Sequence, residues 1–544
     1  MPATHSKTLN ILLVKPKARL QTILGLEKFQ RLEPLELGYL AAMVPEHSTQ
    51  VLDLRLHRFE NIILKRRLRQ LRPDVVGITG YSHESTTVKA ISRLVKQLLP
   101  DTRIIVGGHH ATVAPEDYNI KEIDGIVRGE GTRPFRDFVH AVAAGTDLVG
   151  IPGVIPTGNN FPESTAWPKF PDPEELPVPN RELWNYRDYY CVWTAEKMPR
   201  FHTVYPPVAM LRTSWGCKMR CTFCIVPYLS DGTHRPNTIE RIVDEIEGVK
   251  ADHIYFSDDE NFLNPDFAMD LANAIERRGI KKRYFAWARA TTVLNNKKLI
   301  EKWRDIGLDG VFVGFEFIDN KELKEHKKAT TVAHNERALH YLRSIGIVVH
   351  AAFILRPEYT LEKFRTLQKY VKDMPPSQCS FTVISPSPGT PDYTAIKPDI
   401  WIDNPYDYYD CMHPLTPTKL PLKQFCSEYS ILVREGTAKT PLRVNHHIAP
   451  LKDMIRIIWA DINYRRVFRN VYQDYPVKLW QRKFNLARKQ NESKAPSIHA
   501  LSRSHKATPI PVSASPELAS AIDIAPMVED ESSAMSSQSA KVGK

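Results

Sequence analysis

The chain is poor in cysteine, with seven in 544 residues. A disulfide framework needs paired cysteines spread through a small secreted chain, so the scarcity excludes one and points to a reducing compartment. Long apolar runs are missing as well. No stretch of roughly 18 uninterrupted apolar residues occurs, so no transmembrane helix is expected. The first residues, Met1-Pro-Ala-Thr-His-Ser-Lys7, carry no signal-peptide pattern. The expectation is a cytoplasmic protein, at most peripheral on the inner membrane. No RNA-binding module pattern is visible. The net charge of +12 comes from Lys and Arg spread along the whole chain, which reads as a solvated basic surface and not as a nucleic-acid site.

What is present is ordinary in bulk and informative in detail. Hydrophobic residues make up 42% and charged residues 25%, so several domains with sizeable cores are expected. Three of the seven cysteines fall in one loop, Trp215-Gly-Cys-Lys-Met-Arg-Cys-Thr-Phe-Cys224. The spacing of Cys217, Cys221 and Cys224 is C-x3-C-x2-C. Three thiolates so close can hold three irons of a [4Fe–4S] cubane and leave the fourth iron open to a small molecule. The rival reading is zinc, which usually takes four ligands, often as two separated pairs. Cys191, Cys379, Cys411 and Cys426 are isolated and supply no second pair.

Residues 1–145 alternate apolar strands with helical patterns. Ile11–Val14, Val51–Leu54, Val75–Ile78, Ile104–Val106 and Gly125–Val127 are the strands. Strands separated by helices at this spacing predict a doubly wound parallel α/β sheet. Ligands of such sheets sit at the carboxyl ends of the strands. Found there are Thr79-Gly-Tyr81-Ser82, Gly107-Gly108-His-His-Ala-Thr112 and Gly129-Glu130-Gly131-Thr132. Paired glycines let the backbone approach a bulky ligand.

Residues 146–205 are rich in Pro, Asn and aromatics and are expected to link domains. Residues 206–400 again alternate strand and helix. Leu211–Ser214, His253–Phe256, Phe285–Arg289, Gly310–Glu316, Val348–Ile354 and Phe381–Ile384 are strand candidates for a partial βα barrel, whose site would lie at the strands' carboxyl ends. Residues 401–488 read as a small helical domain. Its run from Leu451 to Lys483 fits either packing on the barrel or lying on an anionic bilayer. Asp461 and Asp474 within it favour packing, with peripheral membrane contact left open. Residues 489–544 lack apolar periodicity and are expected to be disordered.

The cysteine loop resembles the signature of the radical SAM superfamily, and the N-terminal region resembles the cobalamin-binding domain that precedes the radical core in one class of it. The order of domains is similar to that of the cobalamin-dependent radical SAM methyltransferases. Within that class the cysteine loop, the Pro414-Leu-Thr-Pro-Thr418 segment and the length look most like the hopanoid C-3 methylases.

That resemblance implies a [4Fe–4S] cluster on Cys217, Cys221 and Cys224, S-adenosylmethionine and cobalamin. It implies that Phe223 packs beside adenine, that Asp258, Asp259 and Glu260 meet the S-adenosylmethionine ammonium, and that Arg289 and Glu316 face the same ligand. Tyr81, Ser82, Gly107, Gly108, Thr112, Gly129, Glu130 and Gly131 would cradle cobalamin. The loop after the first strand, Lys15-Pro-Lys-Ala-Arg-Leu20, lacks the D-x-H-x-x-G of other cobalamin domains, so no protein imidazole on cobalt is expected. The implied reaction is methylation of an unactivated sp³ carbon, C-3 of the hopanoid A ring, with a polycyclic lipid as substrate and a ferredoxin or flavodoxin as electron donor. Alternatives are a tetrapyrrole side-chain methylase, the anaerobic cyclase, or a non-catalytic cobalamin and iron–sulfur carrier.

Overall fold

Apolar runs without a polar side must be buried on both faces, and the N-terminal strands are. The computed structural model describes residues 7–158, 161–162, 172–195, 203–375, 378–437 and 450–475. β1 (Asn10–Lys15), β2 (Ser48–Asp53), β3 (Val75–Thr79), β4 (Arg103–Gly107), β5 (Gly125–Val127) and β6 (Val154–Pro156) form one sheet in the order β2-β1-β3-β4-β5-β6. The first five strands are parallel. On one face Leu12, Val14, Val76 and Ile78 pack with Leu64, Leu68, Val88 and Val95 of the helices Glu60–Leu71 and Ser85–Leu98. On the other, Ile11, Leu13 and Ile105 pack with Leu37, Phe135 and Phe138 of the helices Leu35–Ala42 and Thr132–Ala144. Covering both faces is what permits an all-parallel arrangement. β6 closes the edge antiparallel to β5. It comes from beyond residue 145, inside the expected linker.

A second sheet follows in simple chain order. β7 (Val208–Leu211), β8 (His253–Phe256), β9 (Arg283–Ala288), β10 (Leu308–Glu316), β11 (Val348–Leu355) and β12 (Gln378–Val383) lie as β12-β11-β10-β9-β8-β7, all parallel. The sheet curls into a half-barrel. Its outer side chains, including Tyr284, Ala286, Val311, Val313, Val349 and Phe353, pack with helix residues such as Ile242, Leu271, Ile300 and Leu339. Side chains alternate across a strand, so Trp287, Phe312, His350 and Gln378, which are in register, share the concave face.

The C-terminal helices Leu422–Thr437 and Leu451–Asn470 send Phe425, Tyr429, Tyr464 and Phe468 into the barrel's outer core. The Tyr429 hydroxyl donates to the Phe381 carbonyl at 2.6 Å. The expectation of packing is therefore correct for one face of the second helix. The other face exposes Ile455, Ile458, Trp459 and Ile462. Residues 476–488 and the expected disordered tail lie outside the described residues. Among the described residues no helix is long and apolar enough to cross a membrane.

Polar bonds seam the two sheets together. Glu33 accepts from Arg181 Nε at 3.1 Å, Trp184 Nε1 at 3.0 Å and, within β7, the Met210 amide at 2.8 Å. Thr22 donates to Asp410 at 2.5 Å, and Asp410 in turn holds His413 at 2.9 Å.

Candidate active site

The cysteine loop leaves the carboxyl end of β7 and is pinned there by two acids from the loop after β8. Asp258 is buried and accepts from the Thr213 amide (3.0 Å), Thr213 Oγ1 (2.6 Å) and Ser214 Oγ (2.6 Å). Asp259 accepts from the Gly216 amide at 2.9 Å and pairs with Arg212 at 2.8 Å. Gly216 has φ +89°, and a Cβ there would collide with the Thr233 carbonyl and Ser230. Only glycine supports this turn into the first cysteine. Asp258 and Asp259 therefore hold the loop in place. Of the acidic trio, Glu260 alone keeps a buried oxygen, Oε2, without a hydrogen-bond partner.

Cys217, Cys221 and Cys224 are free thiols. Burial pushes Cys224 up to about 12 and raises Cys217, so these groups ionise readily only against a metal centre. Among the described residues, three metal-ligand atoms come within 4.8 Å of one another only at Glu46, His47 and His140, elsewhere on the surface. The cysteine sulfurs do not converge as ligands of one ion would. Three thiolates that each take a separate iron fit this spread.

Facing the loop is a buried charged cluster. Glu316 ends β10 at φ +61°, after a break in register with β11. A non-glycine residue in the left-handed region signals a functional or packing constraint. Its carboxylate pairs with Lys328 Nζ at 2.5 Å. Arg289, at the end of β9, donates to the Lys328 carbonyl, while its amide donates to Glu260 at 3.3 Å. Arg289 Nε has no partner. Orphaned buried polar atoms are costly unless a ligand satisfies them. Glu260 Oε2 and Arg289 Nε fit the ammonium and carboxylate of an amino acid.

Phe223 lies edge-on to His326 at 5.9 Å, and His326 stacks on Phe317 at 4.9 Å. His326 Nδ1 meets Thr222 Oγ1 at 3.1 Å and Asp392 at 2.9 Å. Sequence reasoning missed Lys328 and His326, because Glu325-His-Lys-Lys328 looks like a solvated charge run. The chain is left-handed at Lys327 and Ala329, and Lys328 between them is buried.

The glycine loops gather at the carboxyl ends of β3, β4 and β5. Gly108 has φ +95°, and a Cβ there would meet Thr79 Oγ1 at 2.7 Å and the Gly80 amide nitrogen at 2.9 Å. Its requirement for glycine arises from neighbouring backbone, where the sequence suggested a ligand. A Cβ on Gly107 or Gly131 meets only ordinary contacts. Thr112 Oγ1 donates to the Gly108 carbonyl at 2.8 Å and accepts from the Gly129 amide at 3.1 Å, tying two loops together. Glu130 accepts from the Thr132 amide (2.9 Å) and hydroxyl (2.6 Å), and burial raises its carboxyl. Tyr81 is exposed and stacks on His83, with Lys15 5.0 Å over its ring. Ser82 Oγ meets His110 Nδ1 at 3.1 Å, and His110 Nε2 meets Asp117 at 3.0 Å. Both His110 nitrogens are engaged, which makes it a structural residue.

One turn joins the two loop systems. In Pro386-Ser-Pro-Gly-Thr-Pro391, Ser387 Oγ lies 3.4 Å from His109 Nε2 in the glycine loop. Next along the chain, the Asp392 amide donates to the Thr222 carbonyl of the cysteine loop at 3.3 Å. His110 also packs against Tyr406 at 4.7 Å. Elsewhere, the Leu355–Thr360 segment that follows β11 ends in a helix cap. Thr360 begins the helix Leu361–Asp373 by accepting from the Lys363 amide.

Two family models match this arrangement. Residues 22–139 match the B12 binding domain and residues 212–371 the radical SAM superfamily. A hopanoid C-3 methylase of Methylococcus capsulatus is 29% identical over 407 residues, 74% of this chain and 75% of that one. The chain belongs to the cobalamin-dependent radical SAM methyltransferases. An anaerobic magnesium-protoporphyrin IX monomethyl ester cyclase of Rubrivivax gelatinosus is 26% identical, covering 60% of this chain and 59% of its own. The methyltransferase fold is similar to that of the cobalamin-dependent S-adenosylmethionine radical enzyme OxsB with aqua-cobalamin bound. The TM-score is 0.63 at 16% identity, over 86% of this chain and 72% of that one. The enzyme uses cobalamin, S-adenosylmethionine and a [4Fe–4S] cluster.

Proposed function

We propose that the enzyme methylates C-3 of the A ring of a hopanoid. The similarity to the Methylococcus methylase supplies the substrate, and the concave face of the half-barrel carries the argument. Trp287 and Phe312 lie 4.0 Å apart, and Phe312 and His350 5.0 Å apart, as one aromatic tier across three strands. Burial lowers His350 to about 4, so this imidazole is neutral at pH 7. Apart from Trp287 Nε1 and His350 Nε2, which are buried without a partner, the tier is an uncharged aromatic surface that suits a flat hydrocarbon.

Bound together, the cluster and S-adenosylmethionine supply a hydrogen-abstracting radical, and cobalamin supplies the methyl group. Cys217, Cys221 and Cys224 would ligate three irons. Arg289 would hold the S-adenosylmethionine carboxylate, and Glu260 its ammonium. The Glu316–Lys328 pair would fix the far wall, and Phe223 would pack beside the adenine. Tyr81, Ser82, Gly107, Gly108, Thr112, Gly129, Glu130 and Gly131 would cradle the cobalamin. Asp258 and Asp259 act one step back, by holding the cysteine loop. Electrons would come from a ferredoxin or flavodoxin.

A tetrapyrrole substrate is the second reading, favoured by the Rubrivivax relative. Tetrapyrrole side-chain carboxylates call for cations at the site. Lys328 is already paired with Glu316, which weighs against this reading. The test is expression in a hopanoid-producing host that lacks the gene. The hopanoid should gain one CH₂ in mass, located to the A ring. An unchanged profile from cluster- and cobalamin-loaded protein would overturn the hopanoid reading.

A further inference from the structure

Outside the catalytic loops lies a basic cavity of about 410 Å³ at the seam between the N-terminal domain and the helix Leu451–Asn470. Lys17, Lys28, Arg31, Arg55, Arg58 and Arg456 line it, with Glu27 as the one acid. Arg55 is neutralised by Asp53 at 2.6 Å, and Lys17 lies 3.7 Å from Glu60. The other four cations have no carboxylate partner among the described residues. Three of them sit on aromatic faces: Lys28 is 4.4 Å from the Trp459 ring, Arg456 is 3.7 Å from Tyr205, and Arg31 is 5.7 Å from Tyr190. A cation held over a ring is positioned but not neutralised. Burial raises the Glu27 carboxyl, and this single acid among six lining cations leaves the cavity net positive.

An apolar stripe adjoins this cavity. Leu451, Ile455, Ile458, Trp459 and Ile462 are between 42% and 75% exposed. Their spacing puts them on one face of the helix, opposite the buried Ile457, Ala460, Tyr464 and Phe468. Arg456 and Trp459 line the cavity themselves, so stripe and cavity are continuous. On the other rim Arg58 lies 5.4 Å from Phe59, which is 62% exposed. Contiguous exposed apolar side chains beside unpaired cations mark an interaction face. Apolar groups at the acyl boundary with cations at headgroup level are the chemistry of a helix lying in a bilayer interface.

We propose that this face docks the enzyme on an anionic phospholipid bilayer, with the cavity taking a phosphate-bearing headgroup and the stripe entering the interface. Charge complementarity selects this occupant over a second copy of the chain, which would set the same cations against each other. Lys17 and Arg55–Arg58 follow the carboxyl ends of β1 and β2, the edge of the sheet that carries the glycine loops. The proposal goes beyond the substrate reading and stands without it.

The test is co-sedimentation of the full-length holoenzyme with vesicles that contain no hopanoid. Vesicles of phosphatidylglycerol and phosphatidylcholine should pellet the protein, and vesicles of phosphatidylcholine alone should not. At about 1 M salt, where the Debye length is about 3 Å, most should be released. A double variant Lys28→Glu and Arg58→Glu should lose about fivefold in partitioning for each cation removed, and Ile455→Glu with Trp459→Glu should lose at least as much. Arg58, Ile455 and Trp459 are exposed and Lys28 is half-buried, so unaltered melting certifies the fold. Hydrogen exchange of residues 451–470 in the wild type should slow on anionic vesicles, which needs no variant. Wild type left in the supernatant, equal binding to neutral vesicles, or unchanged binding of both double variants would overturn the proposal. So would a concentration-dependent dimer that protects the same helix without lipid.

Discussion

The cysteine loop and the glycine loops are built on opposite principles, though one turn touches both. The cysteine loop is specified by side chains: Asp258, Asp259 and Arg212 brace it, and three sulfurs project from it. The glycine loops are specified by backbone: Gly108 at positive φ packs on Gly80, and Thr112 ties carbonyl to amide. A covalent ligand set needs particular atoms at particular spacings, so it leaves a motif. A cradle for a large ligand needs shape, which many sequences satisfy. Substitutions should therefore act differently on the two.

The largest effect belongs to the side-chain loop. Replacing Cys217, Cys221 and Cys224 together by Ala should abolish the cluster's charge-transfer absorption and all S-adenosylmethionine cleavage, while cobalamin still binds. Ultraviolet–visible spectra of anaerobically reconstituted protein check both cofactors at once. Loss of cobalamin as well would show that the two loop systems are not separable.

Next comes Lys328→Met. Removing one partner of a buried pair leaves the other charge uncompensated, at a cost of about 3–5 kcal/mol. Denaturant unfolding should show this loss, and the double variant with Glu316→Gln should recover part of it. If 5′-deoxyadenosine formation recovers along with stability, the pair is structural. If it does not, the pair serves the ligand.

The glycine loops should respond to backbone strain. Gly108→Val should cost about 1–3 kcal/mol locally and weaken cobalamin binding through the displaced Gly80 segment. Gly131→Ala, which meets only ordinary contacts, should leave affinity nearly unchanged. Cobalamin titration followed by absorbance compares the two, and equal losses would point instead to a ligand pressed against both glycines.

The last is a pH effect at the seam. Burial alone would lower His413, but Asp410 and Asp474 outweigh it and raise the imidazole to about 9 from an ordinary 6.5. A group whose folded value is raised stabilises fully below its unfolded value and stops doing so above its folded one. Thermal melts should therefore lose this contribution as pH rises from 6.5 through about 9, and His413→Gln should flatten that part of the profile.

Legibility in the sequence followed the same divide. The parallel strands were readable because burial on both faces leaves unbroken apolar runs, as in Ile11–Val14. The cysteine trio was readable because three thiols at C-x3-C-x2-C spacing stand out in a chain otherwise poor in cysteine. β6 was not, because a three-residue edge strand, Val154–Pro156, carries no period. Lys328 hid because its burial depends on two left-handed neighbours, Lys327 and Ala329, and on a partner twelve residues away. The brace made by Asp258 looked like a ligand site because an acid at a strand end serves either purpose.

The most direct test of the account is transfer from S-adenosylmethionine labelled as CD₃, with hopanoid, reductant and fully loaded enzyme. Mass spectrometry should find a CD₃-bearing hopanoid and 5′-deoxyadenosine in comparable amounts, both absent from the triple cysteine variant. Enzyme without cobalamin should give no methylated product. Methylation that persists without cobalamin, or in the triple cysteine variant, would contradict the claim that the two loop systems serve one reaction.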